Sequence, residues 1–378
     1  MIIFVVPQQG SPSIMSYLDS WGRTLADRMQ VIFYEDLPHR KTLPVGTYVF
    51  SGLDLLSPAQ TEIATQLAEQ LSRFGQGVRV LNHPSSAMRR YELLRALYES
   101  GRNRFRAIRA SQSLTSLRFP VFLREEQRHN GSRTKLLQAP EELERALVSL
   151  VIRGYRPSEL LAVEYCDTSD KNGIYRKYSA YIVGGRIIPR CVNFCRSFMV
   201  KHDIHAYTSE AAREEREYMD ENPDEPWLRE VFDLAQIGYG RIDYSFRGDE
   251  PQIWEINLNP TIGRIGPPRK RPPSIEKIRQ LRSEAREQFY SRFLSAWQAV
   301  DSQHVSSQEI AIAIEPRMLR KLKVEERKRR RAVAPRILVG KLSRKPTIQM
   351  LKRLLEPAVL SLAPLLMRIR GSRQAGSY

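Results

Sequence analysis

A chain of 378 residues, 42% hydrophobic and 27% charged, is long enough for two or three domains with cores of their own. Three cysteines, Cys166, Cys191 and Cys195, are too few for a disulfide framework and point to a reducing, cytoplasmic compartment. The formal charge of +18 is confined to one end: residues 264–378 hold 27 Lys+Arg against 9 Asp+Glu, whereas residues 1–263 hold 33 of each sign. A neutral body of enzyme-like composition therefore precedes a basic tail.

The first hundred residues alternate short apolar runs with helical spacing. Strands are expected over 2–6, 31–34, 47–50 and 78–81, with a helix over 57–73 that takes Pro58 in its first turn. The apolar run at the N-terminus lacks a basic flank and stops at Pro7, so it reads as a buried strand and not as a signal peptide. This βα pattern predicts a parallel, Rossmann-like layer, although no G-x-G-x-x-G follows any of the strands. A helix over 88–100 ends at Gly101. Next come a strand over 119–124, a polar turn over 125–133 and a helix over 140–151 whose acidic first turn suits the macrodipole. A strand over 160–165 leads into a turn at 167–173 rich in Asp, Ser, Asn and Gly, then a hairpin from 175–183 through Gly184-Gly185 to 186–189. Helices over 209–222 and 226–238 precede strands over 242–246 and 252–256, joined at Arg247-Gly248-Asp249. Beyond Gly266-Pro267-Pro268 the reading is a basic amphipathic helix over 274–300, a Lys/Arg-rich stretch over 317–345 and an apolar, basic end broken by Pro357 and Pro364. No segment offers about 18 consecutive apolar residues, so no membrane span is expected, and no internal repeat is visible.

The densest chemistry lies in residues 238–260. Two strands joined by a short turn bring Asp243 level with Glu255 and Asn257. Side chains alternate along a strand, so Glu255 and Asn257 share one face and Ile256 points away. Two carboxylates and an amide oxygen are hard donors suited to Mg²⁺, which also takes phosphate oxygens and water. Arg241, two residues before Asp243, shares that face and is placed to meet a phosphate or an acyl-phosphate oxyanion. An acidic hairpin facing solvent is the plain alternative. The joined pattern, Arg-x-Asp followed by Glu-x-Asn and then Asn259-Pro260, is more specific than either half.

This stretch resembles the ATP-grasp superfamily, in particular its D-alanine–D-alanine ligase-like, carboxylate–amine ligase branch. There an R-x-D strand and an E-x-N strand supply the magnesium ligands and an arginine that stabilises the acyl phosphate. The resemblance implies that Asp243, Glu255 and Asn257 hold Mg²⁺ and that Arg241 is catalytic. It extends more weakly over residues 80–263. By the same resemblance, Glu164 and Tyr165 end the hinge strand that receives adenine, Asp167 or Asp170 takes the ribose, and Lys201 lies over the nucleotide as a catalytic and ATP-binding residue. Arg124 stands where many members carry a phosphate-binding lysine, which replaces a point charge by a planar fork. The loop after it holds a single glycine, Gly131, where the family's loop is glycine-rich; Arg128, His129 and Arg133 are the residues available to compensate. Arg176 and Lys177 sit on a strand near the expected nucleotide, as phosphate contacts or as a solvated basic face. Arg190 and Arg196 stand equally between substrate carboxylate contacts and surface charge.

The expected fold is therefore α/β with α+β subdomains: a Rossmann-like pre-ATP-grasp domain (1–105), a small ATP-grasp subdomain (106–165), a large subdomain with the magnesium site (166–266) and a basic helical extension, partly disordered (267–378). The expected activity is ATP- and Mg²⁺-dependent activation of a carboxylate as an acyl phosphate, attacked by an amine or similar nucleophile, on a small-molecule carboxylate or a peptide. The alternatives are an ATP-grasp kinase acting on a hydroxyl or anionic substrate, and an adaptor that binds an acidic partner, RNA or a membrane surface through residues 317–378. Cys191, Cys195, His202 and His205 offer four zinc-type ligands, but an extended Cys-x₃-Cys puts its thiols about 13 Å apart, so packing is the expected role. Strand-end residues Gln8, Ser51 and Asp54 carry no specific signal about the substrate.

Overall fold

The computed structural model describes residues 1–75, 77–128, 131–200, 206–262, 282–302 and 308–328. In chain order its principal elements are β1 (Ile2–Val6), α1 (Pro12–Leu18), β2 (Met29–Phe33), β3 (Thr42–Pro44), β4 (Thr47–Phe50), α2 (Pro58–Phe74), β5 (Arg79–Leu81) and α3 (Arg90–Glu99). There follow β6 (Ala107–Arg109), β7 (Val121–Glu125), α4 (Pro140–Ile152), β8 (Leu160–Glu164), β9 (Tyr175–Val183), β10 (Arg186–Cys195), α5 (Ser209–Glu221) and α6 (Glu225–Ala235). The last are β11 (Tyr239–Arg247), β12 (Glu250–Asn257), α7 (Ser283–Val300) and β13 (Glu309–Ala311). The fold is mixed α/β with parallel and antiparallel sheets, and its described residues divide into two compact units, one within Met1–Arg104 and Cys166–Leu319 and one of Phe105–Tyr165 with residues 320–328.

The first unit holds a parallel sheet in the order β2-β1-β4-β5. Its central strand β1 reads Ile-Ile-Phe-Val-Val and is buried at every position, as a strand covered on both faces must be. Helix α2 starts where the sequence places it: Ser57 and Gln60 form a reciprocal capping box and Pro58 occupies the first turn. Its Ile63, Ala64, Leu67 and Leu71 are buried. A second, antiparallel sheet runs β10-β9-β11-β12. Helices α5 and α6 accompany it, and the rings of Tyr178, Tyr218, Tyr244 and Trp227 pack together there. The hairpin expected to end at 189 continues through a bulge at Pro189/Cys191 to Cys195.

Asn82 ties the two sheets of this unit together. Its backbone is left-handed, which Asn tolerates better than most residues. Its buried amide donates to the carbonyls of Phe50 and Tyr239, and its oxygen accepts from the N–H groups of Gly238 and Tyr239. Helix α7 supplies the core between the same elements. Read from the sequence as part of a basic extension, it instead buries Phe289, Phe293 and Trp297 against Phe4, Tyr17, Tyr181 and Tyr239. After α7 the chain pairs β13 with β3. The aromatic face of this amphipathic helix decided its place, because each ring buries a large apolar area.

The second unit holds an antiparallel sheet, β6-β8-β7, and α4. Val121, Leu123, Leu160 and Ala162 from the strands pack with Leu143, Leu147 and Leu150 from the helix. No helix among the described residues is long and apolar enough to cross a membrane.

Candidate active site

The site is built on one face of the antiparallel sheet in the first unit. Strand β11 pairs with β12 in the register Arg241↔Asn257 and Asp243↔Glu255, then shifts by a bulge beyond Asp243. On its other side β11 pairs with β9 as Arg241↔Tyr181 and Asp243↔Ser179. Alternation adds Lys177 to this face. The result is a row Ser179–Asp243–Glu255 and a row Tyr181–Arg241–Asn257, with Lys177 at the margin.

Asp243 is 2% exposed and is surrounded by donors. Ser179 Oγ donates to Oδ1 at 2.9 Å, Lys177 Nζ to Oδ2 at 3.1 Å, and Arg241 Nε and Nη2 reach Oδ1 and Oδ2 at 2.9 and 3.2 Å. Burial opposes the charged form, but Arg241 and Lys177 outweigh it and hold the Asp243 carboxyl below the ordinary carboxylate range. Burial likewise opposes the Arg241 charge, and Asp243 reverses the effect, so the guanidinium is held more firmly protonated than usual. Glu255 pairs with Arg90, the first residue of α3, whose side chain is 4% exposed. Asn257 is buried, and its Oδ1 accepts the N–H of Asn259 at 2.9 Å, which sets the orientation of the amide.

The segment after Asn257 is braced against the carboxyl ends of the parallel strands. The Leu258 carbonyl accepts from Ser51 Oγ and from the Gly52 N–H, and Asn259 Nδ2 donates to the Gly10 carbonyl. Ser13 Oγ donates to the Pro260 carbonyl, and Tyr181 Oη to that of Thr261. Glycine is needed at two of these points. A Cβ on Gly10 would lie 2.5 Å from Asn259 Nδ2, and Gly52 combines φ +67° with a Cβ position 2.9 Å from Pro7.

The structure brings Asp243, Glu255, Asn257, Arg241 and Lys177 together. Arg176, expected beside Lys177 as an ATP contact, faces the other side of the sheet because neighbours on a strand alternate. There it bridges Asp170 at 2.7 Å and Glu214 at 2.9 Å, with its guanidinium over the Phe194 ring. Asp170 also accepts from the N–H groups of Asn172 and Ile174 and so ties its own turn. Asp167 is exposed and accepts from Ser169 N and Oγ. Arg190 lies over the Phe289 ring at 4.5 Å.

Arg124, Glu164 and Tyr165 belong to the second unit. Arg124 is buried on β7 opposite Leu161. Glu164, 2% exposed, accepts six hydrogen bonds: the backbone N–H, Nε and Nη2 of Arg106 and the same three groups of Arg118. These donors outweigh the cost of burial and hold its carboxyl below the ordinary range. Its side chain thus serves as the clamp of this sheet, and the Tyr165 N–H donates to the Pro120 carbonyl. In the loop after β7, Arg128 and Arg133 both pair with Glu125.

Lys201, His129, His202 and His205 lie outside the described residues. Cys191 and Cys195 are both unbridged on β10, and Asn193 Nδ2 approaches Cys191 Sγ at 3.7 Å. Among the described residues no group of three or more His, Cys, Asp or Glu is placed to hold a metal. A cation at this site therefore relies on the mixed set of two carboxylates and an amide. That set, with hard oxygens on neighbouring strands, fits magnesium and not zinc. Sequence reasoning missed Ser179 and Tyr181, which share the alternation of Lys177 but carry no motif. It also missed Arg90, whose partner is 165 residues away.

No protein-family model matches the chain, and no curated protein is similar to it. Among solved structures it is similar to the D-alanine–D-alanine ligase from Bacillus anthracis complexed with ATP, at 11% identity and TM-score 0.42 over 79% of this chain and 99% of that one. It is similar to the ATP-grasp ligase PsnB complexed with minimal precursor, at 16% identity and TM-score 0.46 over 79% and 98%. It is also similar to the L-amino acid ligase from Bacillus licheniformis, at 11% identity and TM-score 0.36 over 68% and 66%.

Proposed function

We propose that this chain is an ATP-grasp ligase that activates a carboxylate with ATP and joins it to an amine. The observation that carries the reading is the register Asp243↔Glu255 and Arg241↔Asn257, which sets the expected metal donors and the expected oxyanion partner on one face. Asp243, Glu255 and Asn257 would hold Mg²⁺, which when bound would neutralise phosphate charge. Arg241 is the residue for the charge that develops on the acyl phosphate, because it is fixed by Asp243 and needs no reorganisation. Lys177 supplies a second cation on the same face and Lys201, by resemblance, a third. In the chemistry, a carboxylate oxygen takes the γ-phosphoryl group and ADP leaves. The amine then displaces inorganic phosphate and gives up a proton.

The test is Glu255→Gln. The change keeps size but takes a counter-ion from buried Arg90, so the melting point falls while circular dichroism below it keeps the parent's spectrum, and turnover is compared there. ADP release with an amine-acceptor panel falls on the order of a hundredfold. A variant that turns over ATP like the parent sinks the assignment. Mass analysis of the parent's product distinguishes amide formation from simple phosphorylation.

A further inference from the structure

Strand β10 carries one residue more than its pairing with β9 needs. Pro189 lies opposite Ala180 and Cys191 opposite Ser179, so Arg190 is the extra residue of the bulge. Ser179 belongs to the face that carries Asp243, and Ala180 to the other. The bulge turns Arg190 to the first of these faces. Its guanidinium lies 4.5 Å over the ring of Phe289, and that ring packs on Tyr181 with centroids 5.5 Å apart. Burial pushes the Tyr181 hydroxyl up, and Arg241 and then Arg190 pull against it, so both guanidinium groups act on one oxygen. Arg241 stands on β11 and Arg190 on β10, two strand spacings or about 10 Å apart at the backbone. Their pairing differs. Arg241 is fixed by Asp243, and Arg176 on the opposite face by Asp170 and Glu214. Arg190 is half-buried, yet among the described residues it pairs with no carboxylate and makes no hydrogen bond. Stacking on a ring uses the face of a guanidinium and leaves the N–H groups in its plane for an anion. A half-buried cation without a counter-ion, close to the expected acyl-phosphate position, is placed to take one from the substrate.

Resting on the proposed function, we infer that Arg190 is a specificity-determining residue that binds a second anionic group of the substrate. The acid activated beside Arg241 is then a dicarboxylate or a phosphorylated carboxylic acid, and not a simple monocarboxylate. One carboxylate oxygen takes the γ-phosphoryl group of ATP and ADP leaves, while the second anion stays on Arg190 unreacted. Hydroxylamine reports this step for any acid: its nitrogen attacks the acyl carbon, inorganic phosphate leaves, a proton is given up and a hydroxamate remains. The experiment measures hydroxamate formation by the full chain with ATP, Mg²⁺ and hydroxylamine, across dicarboxylates, phosphorylated hydroxy acids and monocarboxylates of matched length. The parent's kcat/KM favours one of the two doubly anionic series over the monocarboxylates by about tenfold or more, and the favoured series names the second anion. Arg190→Met, whose stem still covers Phe289, loses that preference through KM, while its affinity for a non-hydrolysable ATP analogue stays that of the parent. Arg190→Lys recovers part of the preference, since it keeps the charge without the fork. If Arg190→Met does not fold, Arg190→Gln carries the same expectation. The inference is overturned if the parent treats the three series alike, or if the variant keeps the preference. It is equally overturned if the variant binds the ATP analogue more weakly, which places Arg190 on a nucleotide phosphate. The ligase reading stands in each of these cases. A parent that forms no hydroxamate with any of these acids overturns the inference, and if it also fails to bind the analogue the proposed function falls with it.

Discussion

Glu164 shows how one carboxylate can organise a sheet. Two arginines from separate segments converge on it, and both also donate their backbone N–H groups. Removing its charge leaves two guanidinium groups without their counter-ion. Glu164→Gln is expected to cost the second unit about 3 kcal/mol, read by urea unfolding or by amide exchange in β6 and β8. The pH dependence follows from the same contacts. The folded carboxyl is held below its ordinary range, so its stabilisation is complete above the unfolded value of about 4.3 and is lost as the pH falls through the lower, folded one. Acid titration of the parent should therefore loosen this unit below about pH 4, and the Gln variant should lack that step.

At the scale of elements, α7 is a core helix with a polar rim. Phe293 and Trp297 are fully buried and touch rings from α1, β1, β9 and β11. Trp297→Ala should cost the first unit about 3–5 kcal/mol, seen as a lower melting point. A melting point within a degree or two of the parent would show that the helix is dispensable. The helix is also tied through the residue that precedes it: Arg282 pairs with the buried Glu215 of α5 at 2.7 Å and donates to the Val192 carbonyl of β10. These contacts hold α5, β10 and α7 to one another.

At the scale of the whole molecule, charge and fold are separate properties. Residues 329–378 contain twelve Lys+Arg and a single Glu. A chain ending at residue 328 should elute from immobilised heparin at markedly lower salt than the parent, because fewer cations displace counter-ions, while its ATP turnover is retained. An unchanged elution would place the polyanion contact in the body. Local information carried far here. The period of two along β11 and β12 put Asp243, Glu255, Asn257 and Arg241 on one face, and capping chemistry located the start of α2. What remained hidden was pairing across distance. The face of Arg176 depended on the register of β9 against β11, which sets Ser179 opposite Asp243. Arg90 and Ser179 became part of the site only through a helix and a strand register that no short segment encodes. Periodicity and turn chemistry are written within a few residues, so the amino-acid sequence by itself determined most of the longer elements, the expected donor set and the basic composition of the C-terminal residues. Burial and ion pairing join residues 165 positions apart, and so only the tertiary structure decided that α7 is core, that Glu164 is a clamp, and that Arg90 pairs with Glu255.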